Sequence, residues 1–264
     1  MRTLRPMIAA ALALAPLALA AQQAAPTPAA PPAAAPPAAA PANLVDPSAI
    51  QALKAMGAHL QTLKRFRVST EVTGERVLAD GQKLQHTARA VLDVSRPDRL
   101  HARTTSARSQ RELFYDGKVA TLYTPQQKYY SSVEMPGSIG TLMTGLRDRY
   151  GVQAPMSDLF AFGTPEAPLD GIESAMNAGQ DFVGEDLCDH YAFRQGGLDW
   201  QIWIKAGRQP LPRKIVITNR GDDARPQSMS VIDWNLKPAF GDKSFSFTPP
   251  RGSTRVELVP LKTK

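Results

Sequence analysis

The sequence has little of what a catalytic centre is built from. It contains one cysteine, Cys188, and four histidines, His59, His86, His101 and His190. One thiol cannot form an intrachain disulfide, and zinc usually takes four ligands, or three and a water. No second cysteine or clustered histidine is present to complete such a set. A glycine-rich phosphate loop, a Gly-x-Ser-x-Gly elbow and a His-Glu-x-x-His helix are all missing. Charge of one sign is not concentrated anywhere: 31 Lys and Arg are scattered among 24 Asp and Glu. Nucleic-acid binding therefore has no basic run or motif to rest on. Beyond the first twenty residues no apolar run reaches the roughly 20 residues a bilayer span needs.

What is present begins with an export signal. Arg2 and Arg5 precede an apolar stretch from Met7 to Ala20 that is interrupted by Pro16. Ala18-Leu19-Ala20 then offers the small-x-small pattern of a signal-peptidase site, with cleavage before Ala21 or Gln22. The competing reading, a membrane span, is opposed by the shortness of the run, its alanine content and the internal proline. No cysteine follows the apolar segment, so a lipoprotein attachment point is lacking. The expected divisions are a signal peptide over 1–21, a tail over 22–43 and one domain over 44–264. The tail contains only Ala, Pro, Gln, Thr and Asn. With nothing to bury, it reads as an extended polyproline-like leader. The expected location is the periplasm.

Two periodicities follow. Asp46 can cap a helix that has Pro47 in its first position. Ile50, Leu53, Met56/Gly57, Leu60 and Leu63 continue it as one apolar stripe to about Lys64. The period then drops to two. Over 83–94, Leu84, His86, Ala88, Ala90, Leu92 and Val94 alternate with the residues between them, as a half-buried strand requires. Further strands are expected at 66–78, 98–106, 110–115, 118–124 and 127–133, with an Asp116-Gly117 turn. A central helix is expected from a Ser138 cap to Gly151, with Ile139, Leu142, Met143, Leu146 and Tyr150 on one face. A short helix at 155–162 and a loop at 163–171 come next. Strands then resume at 180–184, 187–194, 199–205, 212–219, 227–237 and 244–247.

Closely spaced strands with turn chemistry between them imply antiparallel pairing, because parallel crossovers need more chain. The fold class is mostly β (α+β): a large curved antiparallel sheet forming an open half-barrel of about 11 strands. An N-terminal helix and a central helical segment cover it, since a sheet face can be buried only if something lies on it.

Several stretches carry a family likeness: Phe114-Tyr115-Asp116-Gly117-Lys118, Gln127-Lys128-Tyr129-Tyr130, Cys188-Asp189-His190 and Asp199-Trp200-Gln201-Ile202-Trp203-Ile204. Leu211-Pro212-Arg213-Lys214, Asp233-Trp234-Asn235 and Phe245-Ser246-Phe247-Thr248-Pro249-Pro250 continue it. In these the chain resembles a bacterial family of predicted periplasmic proteins of unknown function. That family is similar in architecture to carriers and receptors of the LolA/LolB type, in which an open barrel and helical lid enclose an apolar cavity for acyl chains. The resemblance implies a fold, offers no catalytic residues, and does not by itself transfer an activity.

The expected function is a non-catalytic periplasmic binding or carrier protein for a lipidic or lipoprotein ligand held in a hydrophobic cavity. Its expected lining is Leu92, Leu122, Leu142, Leu146, Trp200 and Ile202; no catalytic residue, metal or cofactor is expected. The alternative is an envelope interaction or sensor module that binds a protein partner without lipid transport. Cys188 and His190 share a strand face at i and i+2, so a metal site or a thiol nucleophile is conceivable there. Without further ligands or an orienting motif, a small buried hydrophobe is the simpler reading of the cysteine. The tyrosines at 115, 123, 129 and 130 read as sheet-surface and edge aromatics. Arg147, Arg149, Arg213 and Lys214 read as a solvated face or a contact for anionic lipid or a partner.

Overall fold

The computed structural model describes residues 44–154 and 156–261. The expected signal and tail, residues 1–43, lie outside the described residues.

The N-terminal helix α1 spans Pro47–Thr62. Asp46 caps it by accepting a hydrogen bond from the Ser48 amide at 2.8 Å, and Pro47 sits where a missing N–H costs nothing. Six strands follow as an antiparallel meander: β1 (Arg65–Val77), β2 (Lys83–Ser95), β3 (Arg99–Ser106), β4 (Gln110–Tyr115), β5 (Val119–Thr124) and β6 (Tyr129–Glu134). The central helix α2 spans Ile139–Tyr150. The Thr141 amide donates to the Ser138 hydroxyl at its start. Gly151, at φ 66°, closes its end in the left-handed region that glycine enters without penalty. A 3-10 turn over Ser157–Phe160 precedes the second meander: β7 (Ile172–Val183), β8 (Asp186–Gln195), β9 (Leu198–Lys205), β10 (Pro212–Asn219) and β11 (Gln227–Asn235).

Strand β11 pairs with β1, and this joins the two meanders into one sheet. With a short β12 (Thr254–Arg255), the order is β12-β6-β5-β4-β3-β2-β1-β11-β10-β9-β8-β7. All pairs are antiparallel except β12 with β6. Strands β12 and β7 end the order, so the sheet is open.

Each helix covers one half of the inner face. Ile139, Leu142, Met143 and Leu146 of α2 lie on a core from β1 to β5 that includes Phe66, Leu92, Leu100, Leu113 and Tyr115. Ala49, Leu53, Met56 and Leu60 of α1 lie on Ala175, Tyr191, Phe193, Ile202 and Ile204 of β7, β8 and β9. The 3-10 turn contributes to both, Phe160 to the first and Leu159 to the second. The two stripes explain why both helices form here: burying each apolar side chain contributes about 1.5–3 kcal/mol, which a helix of this length needs beyond its own propensity.

The open antiparallel sheet has twelve strands, in keeping with the expected half-barrel of about 11. The structure corrects three of the sequence readings. Residues 244–247 do not form a strand: Asp242–Phe245 is a 3-10 turn that buries Phe245, 1% exposed, against Phe240. Strand β7 begins at Ile172, well before 180. Its residues from Met176 to Phe182 are exposed on both faces of an edge strand, so no alternation marks them. Tyr115 is fully buried, not a surface aromatic; its hydroxyl lies 2.6 Å from the Gly137 carbonyl and 2.9 Å from that of Met135. A buried phenol needs such an acceptor.

After β11 the chain crosses the outer face of the sheet. Phe247 packs on Phe114, Tyr123 and Tyr130, each with ring centroids 5.2 Å away. Strand β12 then rounds the β6 edge, and the Leu261 amide donates to the Arg149 carbonyl at 2.7 Å.

Candidate functional site

Where the inner face runs past α2, its inward residues become small. Strand alternation and register place Val72 and Gly74 of β1, Ala88 and Ala90 of β2, Ala102 and Thr104 of β3, and Ser228 and Ser230 of β11 on one surface. Leu113 and Leu122 continue it onto β4 and β5. Side chains of this size cannot reach the segment that follows α2. A cavity of about 610 Å³ is left between them, open to solvent on one side. Its roof is Gly151–Ala154 and Met156–Asp158. Met156 holds φ 60°, an uncommon conformation for a residue with a Cβ. The volume falls in the range of small-molecule sites, about 300–1,000 Å³. Six adjacent strands at about 4.8 Å make the floor a trough on the order of 24 Å long.

The charges at this cavity divide by face. Arg111 pairs in register with Thr104 and shares the inner face with Leu113. Glu112 points to the outer face, where its carboxylate meets His101 Nε2 at 2.9 Å. That hydrogen bond, more than any other cause, holds the Glu112 carboxyl below its ordinary range. Arg89 also turns outward, to Glu71 at 3.4 Å.

The six residues expected to line a cavity are distributed over four places. Leu122 lines the wall of the 610 Å³ cavity. Leu92 is 1% exposed and borders a crevice of about 10 Å³ beneath Leu60 and Phe160. Leu142 and Leu146 are fully buried on the sheet-facing side of α2. Ile202 is buried under α1, and Trp200 stacks on Phe193 beside it with ring centroids 4.1 Å apart. Alternation in the sequence identifies which residues face inward. It cannot say how far along a strand the cover extends, which is what separates lining from core. The small inward residues were the available signal.

Cys188 and His190 do share a face, as expected of i and i+2, but it is the outer one. Cys188 is fully buried with Val183 and Trp203, and its Sγ lies 3.6 Å from the Asp186 carbonyl. Burial first, and then the Asp186 charge, push the thiol pKa up, away from the thiolate that chemistry needs. His190 stacks on Trp203 at 4.0 Å and meets Gln201 Oε1 at 2.9 Å. No group of three or more His, Cys, Asp or Glu suited to a metal occurs among the described residues. Cys188→Ser is expected to cost about 1–3 kcal/mol, because a buried hydroxyl needs a partner, and Cys188→Ala less. Denaturant midpoints check this. Rapid labelling of the native thiol by a charged reagent would contradict it.

Three of the four basic residues expected on a solvated face are engaged with neighbours. Arg213 bridges Asp186 at 2.6 Å and Asp233 at 2.9 Å, Lys214 sits 4.3 Å over Trp203, and Arg147 meets Asp148.

Fold and site together define an open antiparallel half-barrel whose two helices leave an uncovered, small-residue cavity on the inner face. The chain belongs to the family described as Predicted periplasmic protein (DUF2092), whose profile matches residues 49–259. It is therefore a protein of the periplasm. Among the described residues no helix is long and apolar enough to cross a membrane.

None of the curated proteins matches the chain. Among solved structures it is similar to LprF from Mycobacterium bovis, at 13% identity and TM-score 0.43, over 78% of this chain and 98% of that one. It is similar to the lipoprotein LppX of Mycobacterium tuberculosis at 11% identity and TM-score 0.37, over 74% and 98%. A LolA superfamily protein from Nitrosomonas europaea gives 9%, 0.35, 75% and 97%. These likenesses are too loose to transfer a ligand, and what this chain can bind follows from its own cavity.

Proposed function

We propose that the mature protein, freed from a signal at 1–21 and made of a Pro/Ala tail over 22–43 and one β domain over 44–264, is a non-catalytic periplasmic carrier that holds a lipidic or lipoprotein acyl group in this cavity. The observation that supports the reading is the floor. Val72, Ala88 and Leu122, half-exposed beside the buried Ala90, Ala102 and Leu113, make an apolar surface under an open roof. Apolar surface of that kind gains about 25 cal/mol per Å² when an acyl chain displaces water from it. No bond need be made or broken for such a role.

Native mass spectrometry of protein purified from a periplasm is expected to show co-purifying lipid, and delipidated protein to take up a fluorescent fatty acid. Ala88→Trp, which projects an indole from the floor into the void, is expected to weaken that uptake about tenfold. It should change stability by less than about 1 kcal/mol, because the position is half-exposed. Empty protein that also ignores the fatty acid would end the proposal.

A further inference from the structure

Two residues of opposite charge line the cavity, and neither side chain has a partner. Arg111 projects from the inner face of β4 at one end of the floor, and Asp158 lies in the roof. Among the described residues neither side chain makes a hydrogen bond or an ion pair, to each other or to anything else. Elsewhere the same residue types pair readily: Arg67 with Asp93, Arg194 with Asp199, Arg213 with Asp186. The Thr104 hydroxyl, in register with Arg111, is also without a hydrogen-bond partner there. A separated cation and anion over an apolar trough form a polar mouth of mixed sign. Each end of a zwitterion is recognised by the opposite charge, and a guanidinium suits phosphate oxygens well.

Building on the carrier reading, we propose that the cavity selects a zwitterionic phospholipid. Its phosphate is met by Arg111 with the Thr104 hydroxyl, its ammonium by Asp158, and its acyl chain by the alanine floor between β1 and β3. An anionic phospholipid would satisfy Arg111 but meet repulsion from Asp158. A diacylglycerol or a diacylated lipopeptide, lacking phosphate, would leave Arg111 without a partner.

Delipidated protein is incubated with vesicles containing equal amounts of phosphatidylethanolamine, phosphatidylglycerol, diacylglycerol and a synthetic diacylated lipopeptide. The lipids carried away are then counted by mass spectrometry. Phosphatidylethanolamine is expected to lead each of the others by about tenfold, the size of one charge-assisted contact. Arg111→Gln should lower uptake of both phospholipids alike. Asp158→Asn should erase the preference over phosphatidylglycerol, lowering uptake of phosphatidylethanolamine and raising that of phosphatidylglycerol. Both positions are exposed, so neither variant should fail to fold. Uptake of all four in equal amounts, or a preference for phosphatidylglycerol or the lipopeptide, overturns this selectivity and leaves the carrier reading standing. Uptake of none of the four overturns both.

Discussion

Gly57→Ala is expected to lose about 2–3 kcal/mol of stability, although alanine is worth about 1 kcal/mol more than glycine inside a helix. A Cβ at position 57 would stand 2.5 Å from the Gly163 amide nitrogen and 3.0 Å from Gly163 Cα and the Phe162 carbonyl carbon. All three are backbone atoms, so no rotamer change relieves the clash. The approach is held from both sides: Gln61 Nε2 donates to the Phe162 carbonyl at 2.7 Å, and Gly163 itself sits at φ 81°. At this crossing α1 meets the chain that also supplies the cavity roof a few residues earlier. Gly57→Leu should be worse and is expected to leave no cooperative unfolding transition. Urea midpoints at an unchanged slope report the cost. A midpoint equal to or above that of the parent would show that helix propensity, not the crossing, decides this position.

Leu146→Ala and Leu142→Ala are each expected to cost about 2–5 kcal/mol, a fall in Tm on the order of 10 °C. Both side chains are fully buried in the core that α2 makes with β1 to β5. The surroundings are held and cannot collapse onto the void: Gly151 closes the helix through hydrogen bonds to Arg147 and Leu146, and Leu261 ties its last turn to the C-terminal chain. Leu122→Ala, half-buried at the cavity wall, should cost less than either and should instead weaken fatty-acid uptake. This pairing separates a fixed cover from a lid. If α2 swung free of the sheet to admit a ligand, its leucines would be exposed for part of the time and their truncation would cost little.

Much of the architecture could be read from residue order. The Asp46-Pro47 start and the stripe through Leu53, Met56 and Leu60 specify α1, because a capping carboxylate and a 3.6-residue period act within one or two turns. Ser138 and Gly151 bracket α2 for the same reason. Alternation from Leu84 to Val94 marks β2 and its buried side. Strand β12 left no such mark: two exposed residues joined to β6 by backbone hydrogen bonds have no pattern to show. The 3-10 turn at Asp242–Phe245 was hidden because Phe245 and Phe247 are two apart, which imitates a strand.

The sequence by itself determined both helices, most of the strands and the faces they bury, since these depend on neighbours within a few residues. Tertiary structure decided that β11 pairs with β1, that α1 and α2 cover separate halves, and that the uncovered remainder is the small-residue stretch around Ala88, Ser228 and Ser230. It also decided that Arg111 and Asp158 face one space. Those outcomes depend on where a helix of given length comes to rest across strands far away in the chain. Periodicity specifies the side a residue faces, and only packing specifies what stands opposite it.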